Sequence, residues 1–331
     1  MSEDLASLVL SALRRRVPRI EGVQEFQRLT GGAMQETWSF EATGAEGRRG
    51  LVLRRAQNCG ATPRLGTIGL PEQAEVTRAA RRHGVPSPEV IAVLDDRDGL
   101  GPGFIMAMVE GETVPQKILR SDEFSSVRRV LAAQCGDILA QIHATPLDDL
   151  PILPRVTVLE KVTQLRRQYL ALSRPLPVFE LAFQWLIRRL PEEPDRPRLV
   201  HGDFRNGNLI IDATGIAAVL DWERAFIGDP MFDIGWLCVG SWRFGEIDKP
   251  IGGFGSIGQF AASYAGGGGE MNLERARFWE AYGILDWGVT TLELAAEAAE
   301  TGALEAAAIG RRTTETEIDL LRLIRDDKER A

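Results

Sequence analysis

The stretch LVHGDFRNGNLIIDATGIAAVLDWERAFIGDPMFD, residues 199–233, constrains this chain more than any other. Two β-branched-rich runs, 209–211 and 216–220, flank Asp212-Ala213-Thr214-Gly215, a turn-forming cluster, so this part reads as a hairpin. Asp203 and Asn208 stand before the first run, and Asp221 follows the second. The hairpin is expected to return Asp221 to Asn208. Two oxygen donors presented at a strand end suit Mg²⁺, a hard cation that takes a few protein oxygens and completes its octahedron with water and phosphate. A plainer account makes His201-Gly202-Asp203 a capped turn and Asp229-Pro230 a loop start. Order, spacing and local context agree on the chemical account, as confirmation of a motif requires.

The spacing H-x-D-x-x-x-x-N from His201 to Asn208 is that of kinase catalytic loops, in which the Asp accepts the proton of an acceptor hydroxyl and the Asn binds magnesium. HGDFRNGN followed by LDWERAFIGDPMFDIGW resembles the aminoglycoside phosphotransferase family, the choline-kinase-like small-molecule kinases of the protein-kinase-like superfamily. That resemblance implies an α+β, two-lobed fold, with a small antiparallel-sheet lobe over residues 1–109 and a larger, mainly helical lobe over 110–331. It also implies that Asp203 is the catalytic base, that Asn208 and Asp221 hold Mg²⁺, and that Arg205 lies near the transferred phosphoryl group. His201 would orient the loop.

Upstream, residues 23–29 and 37–42 read as strands joined by a turn at 30–35. In the resembled family a glycine-bearing loop here, with Gly31 and Gly32, folds over the ATP phosphates; without the downstream motif a plain hairpin turn explains it equally well. After a polar turn at 44–50, Leu51-Val52-Leu53 is a third strand that runs into Arg54 and Arg55. Kinases place a Lys there, so the resemblance makes Arg54 the contact to the α- and β-phosphates, and Arg55 should face the other way. Residues 71–83 read as a helix with Pro71 in its first turn and Gly84 as its stop. Glu75 is taken as the partner of Arg54, with Glu72 as the alternative, although counting back from Gly84-Val85-Pro86 puts Gln73 at the usual Glu position. Strands at 90–94 and 104–109 resemble the family's hinge, in which the C=O of Ala107 and the N–H of Val109 would bind adenine with Met106 packing behind. A buried edge strand is the competing reading.

Helical spacing of apolar residues marks 125–145, 158–173 and 178–190, and His143 near the end of the first reads as a satisfied polar group. The last two carry Lys161, Arg166, Arg167, Arg174, Arg188 and Arg189 against Glu160 and Glu180. Such an excess suits an anionic acceptor, or is simply a solvated helical face. Helices are also expected at 234–239, 259–264, 276–299 and 304–324. Trp279, Tyr282 and Asp286 are either core or acceptor-cleft residues.

The formal net charge of −8 offers no footprint for nucleic acid, which is bound through clustered Lys and Arg. No apolar run approaches the roughly 20 residues that span a bilayer, and residues 1–17 reverse the charge order of a secretory signal, so no membrane partner is expected. Cys59, Cys135 and Cys238 are widely spaced and odd in number, which suits a reducing cytoplasm better than disulfides. The expected activity is transfer of the γ-phosphoryl group of ATP, with Mg²⁺, to a hydroxyl of a small-molecule acceptor. An aminoglycoside, a hydroxylated metabolite or a hydroxyacyl-CoA all remain open as that acceptor, and a catalytically silent nucleotide-binding scaffold is the rival from another class. Oligomeric state is left open.

Overall fold

Small and apolar residues recur at every second position along 40–42 and 51–53, and in the computed structural model this alternation becomes one buried sheet face. The structure describes residues 2–29, 35–45, 47–56 and 66–328. In chain order the elements are α1 (Ser2–Arg16), β1 (Ile20–Leu29), β2 (Gln35–Gly44), β3 (Gly47–Ala56), α2 (Leu70–Arg82), β4 (Val90–Val93), β5 (Gly103–Ala107), α3 (Pro115–Arg120), α4 (Arg128–Ala144), α5 (Val158–Ala171) and α6 (Pro177–Arg188). They continue as β6 (Arg198–Val200), β7 (Leu209–Ile211), β8 (Ile216–Val219), β9 (Phe226–Gly228), α7 (Met231–Leu237), α8 (Ile257–Gly266), α9 (Leu273–Thr301), α10 (Leu304–Gly310) and α11 (Thr313–Lys328).

The chain divides into two compact units, the first made of Met1–Glu112, Thr145–Leu153 and Leu209–Ala225. Its sheet is antiparallel in the order β1-β2-β3-β5-β4. Phe40, Ala42, Leu51 and Leu53 share one buried cluster with Leu5, Val9, Ala12 and Leu13 of α1. Strands β2 and β3 run further than 44–50 read as a turn would allow, because the ladder pairs Gly44 with Gly47 and includes Arg48 and Arg49. Ladder bonds are made by the backbone, so exposed polar side chains do not end a strand. The β7-β8 hairpin belongs to the same unit, with Leu209 opposite Val219.

The second unit, Thr113–Ala144, Pro154–Asn208 and Phe226–Ala331, is mainly helical. Helix α4 packs closely on α8 because Gly136 has no side chain: a Cβ there would lie 2.4 Å from the Phe260 carbonyl oxygen. Helix α9 begins earlier than its apolar pattern suggests, since Asn272 caps it by accepting from the Arg275 N–H. The expected single helix over 304–324 is two helices. Gly310 sits against the backbone of Ala295, where a Cβ would be 2.7 Å away, and the chain turns at Arg311-Arg312 before α11. Among the described residues no helix is long and apolar enough to cross a membrane. Cys135 and Cys238 are buried free thiols, and burial pushes both thiol pKa values up; Cys59 lies outside the described residues.

Asp98 fastens α1 to the first unit. Its side chain is fully buried and accepts from Arg16 at 2.7 and 3.0 Å and from Arg15. Burial opposes its charge, but the Arg16 contact, the Asp95 N–H and Arg15 outweigh it and hold the carboxyl well below the usual carboxylate range. Asp98→Asn should therefore cost about 2 kcal/mol at neutral pH, the scale of hydrogen bonds to a charged group. A depressed folded pKa contributes stability above the unfolded value and loses it as pH falls, so the gap between wild type and variant should close below about pH 4. Denaturant titrations of both proteins at several pH values measure this.

Candidate active site

The loop 201–208 is held from beneath by a carboxylate. Three-residue strands β6 and β9 pair Leu199 with Ile227 and deliver His201 to the end of the ladder. Asp233, fully buried in α7, then accepts from the N–H groups of His201 and Gly202, each at 2.8 Å. The same carboxylate takes the Nε2 of His143 at 3.2 Å, and the Nδ1 of His143 meets the Tyr264 hydroxyl at 2.8 Å. Burial, and after it the Asp233 charge, push the Tyr264 phenol pKa up, so this hydroxyl keeps its proton and can donate to Nδ1. His143 is thus a satisfied structural group, as its place near a helix end suggested.

Asp203 is oriented by three donors. Its Oδ1 accepts from Trp236 Nε1 at 2.8 Å and from Arg205 Nε at 2.9 Å, and its Oδ2 accepts from Asn208 Nδ2 at 2.6 Å. The Asn208 amide nitrogen also reaches the Asp203 carbonyl at 3.0 Å, which leaves the Asn208 Oδ1 as the atom available to a cation. Gly207 has φ of 114°, and a Cβ there would meet Arg205 Nη1 at 2.8 Å, so the loop needs glycine at this point. The Arg205 guanidinium lies 4.7 Å over the Trp242 ring, a cation–π contact that keeps it beside Asp203.

In the other unit Arg54 ends the buried part of β3. Its Nη1 donates to Asp221 Oδ1 at 2.5 Å and its Nη2 to Gln35 Oε1 at 2.9 Å. Arg55 points the other way, to Glu36 at 2.8 Å, as strand alternation requires. Asp221 has φ 62° and ψ 63°, a left-handed conformation that costs a non-glycine residue about 1 kcal/mol or more and that concentrates at functional sites. It already faces a cation, and its carboxylate is the kind of hard oxygen donor that suits Mg²⁺.

The structure corrects the reading of helix α2. Glu75 is bonded to Arg78 at 2.7 Å and is not on Arg54, while Glu72 turns back toward Gly69. Gln73, two per cent exposed, shares a cavity lining with Arg54, as does Thr77 one turn further along α2, in accord with the count back from Gly84. Strand β5 stops at Ala107, whose N–H donates to the Glu89 carbonyl at 2.8 Å; Val109 lies in the coil beyond it. Gly31 and Gly32 lie outside the described residues. Trp279 and Tyr282 are core, and Trp279 donates to the buried Asp229 at 2.6 Å. Of the basic residues on α5 and α6, Arg166 is bonded to Glu180, Arg189 to Asp327, and Lys161 sits 3.9 Å over Phe226, so much of that charge is internally committed.

The Phosphotransferase enzyme family model matches residues 25–289. This chain belongs to that family. Its fold is protein-kinase-like: a putative aminoglycoside phosphotransferase from Ralstonia eutropha JMP134 superposes with TM-score 0.75 at 19% identity, covering 97% of this chain and 98% of that one. A thermostable mutant of aminoglycoside phosphotransferase APH(4)-Ia, in ternary complex with AMP-PNP and hygromycin B, superposes with TM-score 0.61 at 17% identity over 96% and 99%. Mouse acyl-CoA dehydrogenase family member 10 is 31% identical over 204 residues, 58% of this chain, and the match covers only 18% of that protein's length.

Asp233 and Trp236 escaped the sequence reading as working residues. The signal was an acid four residues after Asp229 inside the apolar run around Phe232 and Ile234, where a carboxylate must find donors. Asp233→Asn should lower the melting temperature by several degrees, because two buried N–H groups and His143 lose a charged acceptor. Hydrogen exchange should show the amides of 201 and 202 losing protection ahead of the sheet of the first unit.

Proposed function

We propose that this protein is an ATP-dependent kinase of a small hydroxylated molecule. The observation that carries this reading is the Asp203 carboxylate, oriented by Trp236, Arg205 and Asn208 within the H-x-D-x-x-x-x-N spacing. A base locked by three donors is pre-positioned to receive an acceptor hydroxyl. Asp203 takes the hydroxyl proton as the acceptor oxygen bonds to the γ-phosphorus, the bridging P–O bond breaks, and ADP leaves with the electron pair. Arg205, held on the Trp242 face, is placed to balance charge on the transferred group. Asn208 and Asp221 would hold Mg²⁺, which when bound neutralises charge on the β- and γ-phosphates. Arg54 serves as the phosphate contact, Gly31 and Gly32 as the cover of the phosphates, and Ala107 with Val109 as the adenine contact.

The acceptor is proposed only as a hydroxylated small molecule. The internal pairing of Arg166 and Arg189 weakens the charge argument for an anion. The decisive experiment is a phosphoryl-transfer screen over aminoglycosides, hydroxylated metabolites and hydroxyacyl-CoA derivatives. Asp203→Asn should lose at least ~100-fold in kcat on whichever acceptor responds, with nucleotide affinity little changed, as expected for removal of a general base. Undiminished turnover in that variant would overturn the assignment, and nucleotide binding with no turnover on any acceptor would favour a silent scaffold.

A further inference from the structure

The buried side-chain polar atoms without hydrogen-bond partners in the first unit include a complementary pair that borders one space. The pair is Nε of Arg54 and Oε1 of Gln73. Both side chains line a cavity of about 10 Å³, together with Thr77, Phe104, Met106 and Asp221. That is the space of about one water molecule. One atom is a donor and the other an acceptor. The direction of the Gln73 amide is set by its Nε2, which donates to the Ile68 carbonyl at 3.0 Å, so Oε1 is the atom left over. Thr77 does not compete for it, since its hydroxyl donates to the Gln73 backbone carbonyl at 2.7 Å. Buried, unpaired and complementary groups of this kind are rare in folded proteins and call for a physical reason.

We propose that Gln73 is a positioning residue for Arg54, and that its Oε1 receives the Arg54 Nε–H when Asp221 is given over to the metal of a bound nucleotide. The inference rests on the kinase reading above. In the structure Arg54 holds Asp221 at 2.5 Å, and a carboxylate cannot serve a guanidinium at that distance and a divalent cation together without bringing two like charges into close contact. A metal–nucleotide complex would therefore compete with Arg54 for Asp221, and release of the guanidinium would relieve the repulsion between the two cations. The released guanidinium needs one fixed bond that leaves its charge for the phosphates. An amide oxygen supplies it. A carboxylate at position 73 would instead neutralise the arginine, and it would bury an additional charge on a side chain that is two per cent exposed. A neutral partner also suits the choice of Arg over Lys, because the guanidinium can give Nε to Gln73 while both Nη groups face phosphate oxygens.

The test is calorimetry on the full chain with ATP, in the presence and absence of Mg²⁺, for wild type, Gln73→Leu and Gln73→Glu, alongside their melting temperatures. Gln73→Leu should weaken Mg·ATP binding roughly tenfold, the scale of one hydrogen bond to a charged group, and should change metal-free ATP binding much less. Gln73→Glu keeps an acceptor oxygen but loses the donor to Ile68. It should therefore melt lower than wild type and still bind Mg·ATP more tightly than Gln73→Leu. A residue that only ties the start of α2 to Ile68 predicts otherwise, with both variants destabilised and neither selective for the metal complex; that pattern, or wild-type Mg·ATP affinity in Gln73→Leu, overturns the proposal. Failure of the wild-type protein to bind ATP at all would overturn the kinase reading itself and this inference with it.

Discussion

The candidate catalytic loop depends on one buried carboxylate. Asp233 has no solvent to satisfy it, and its two oxygens take the backbone N–H groups of His201 and Gly202 and the ring of His143. A buried anion is tolerated only with such partners, so the helix that carries it and the loop that receives it form together or not at all. Strands of three residues on either side would offer too few ladder bonds to set the loop alone. The close approach of α4 and α8 at Gly136 places Tyr264 on His143, and thus helices far apart in sequence meet under Asp203.

In the first unit the equivalent element is the ion pair of Arg54 and Asp221. Arg54 is fixed in direction by strand alternation, while Asp221 is pinned in a left-handed backbone conformation just after β8. The pair is partly open to solvent, so its worth lies in placement more than in stability. It keeps a cation on the proposed metal ligand and sets a competition that bound nucleotide must resolve. In the proposed exchange Gln73 would act as a neutral group, unlike the Glu of the Lys–Glu arrangement of kinases.

Much of the fold was legible because its signals are local. The β7-β8 hairpin follows from two β-branched runs around Asp212 to Gly215, where the Asp212 side chain accepts the Thr214 and Gly215 N–H groups. The opposite orientations of Arg54 and Arg55 follow from period two in a strand. Helix phase was harder to read. Glu72, Gln73 and Glu75 all lie within little more than one turn, and only the docking of α2 on β4 and β5 decides which of them faces inward. Chemical intuition favours the charged residues, yet burial favours the amide, and the amide is the one inside.

The sequence by itself determined the order of chemical groups: a base, an amide and an acid at fixed spacing, a hairpin between the last two, and a basic residue at the end of a strand. Spacing along a chain is converted into geometry by short-range backbone rules, so these survive translation into structure. Tertiary structure alone decided what holds them. Asp233 lies 30 residues beyond Asp203, His143 lies 60 before it, and Tyr264 comes later still. Their hydrogen bonds arise from helices packing at a distance set by side-chain volume, which no local pattern encodes. Which α2 side chain lies buried beside Arg54 was likewise settled by packing, which is a property of the assembled lobe and not of the residue.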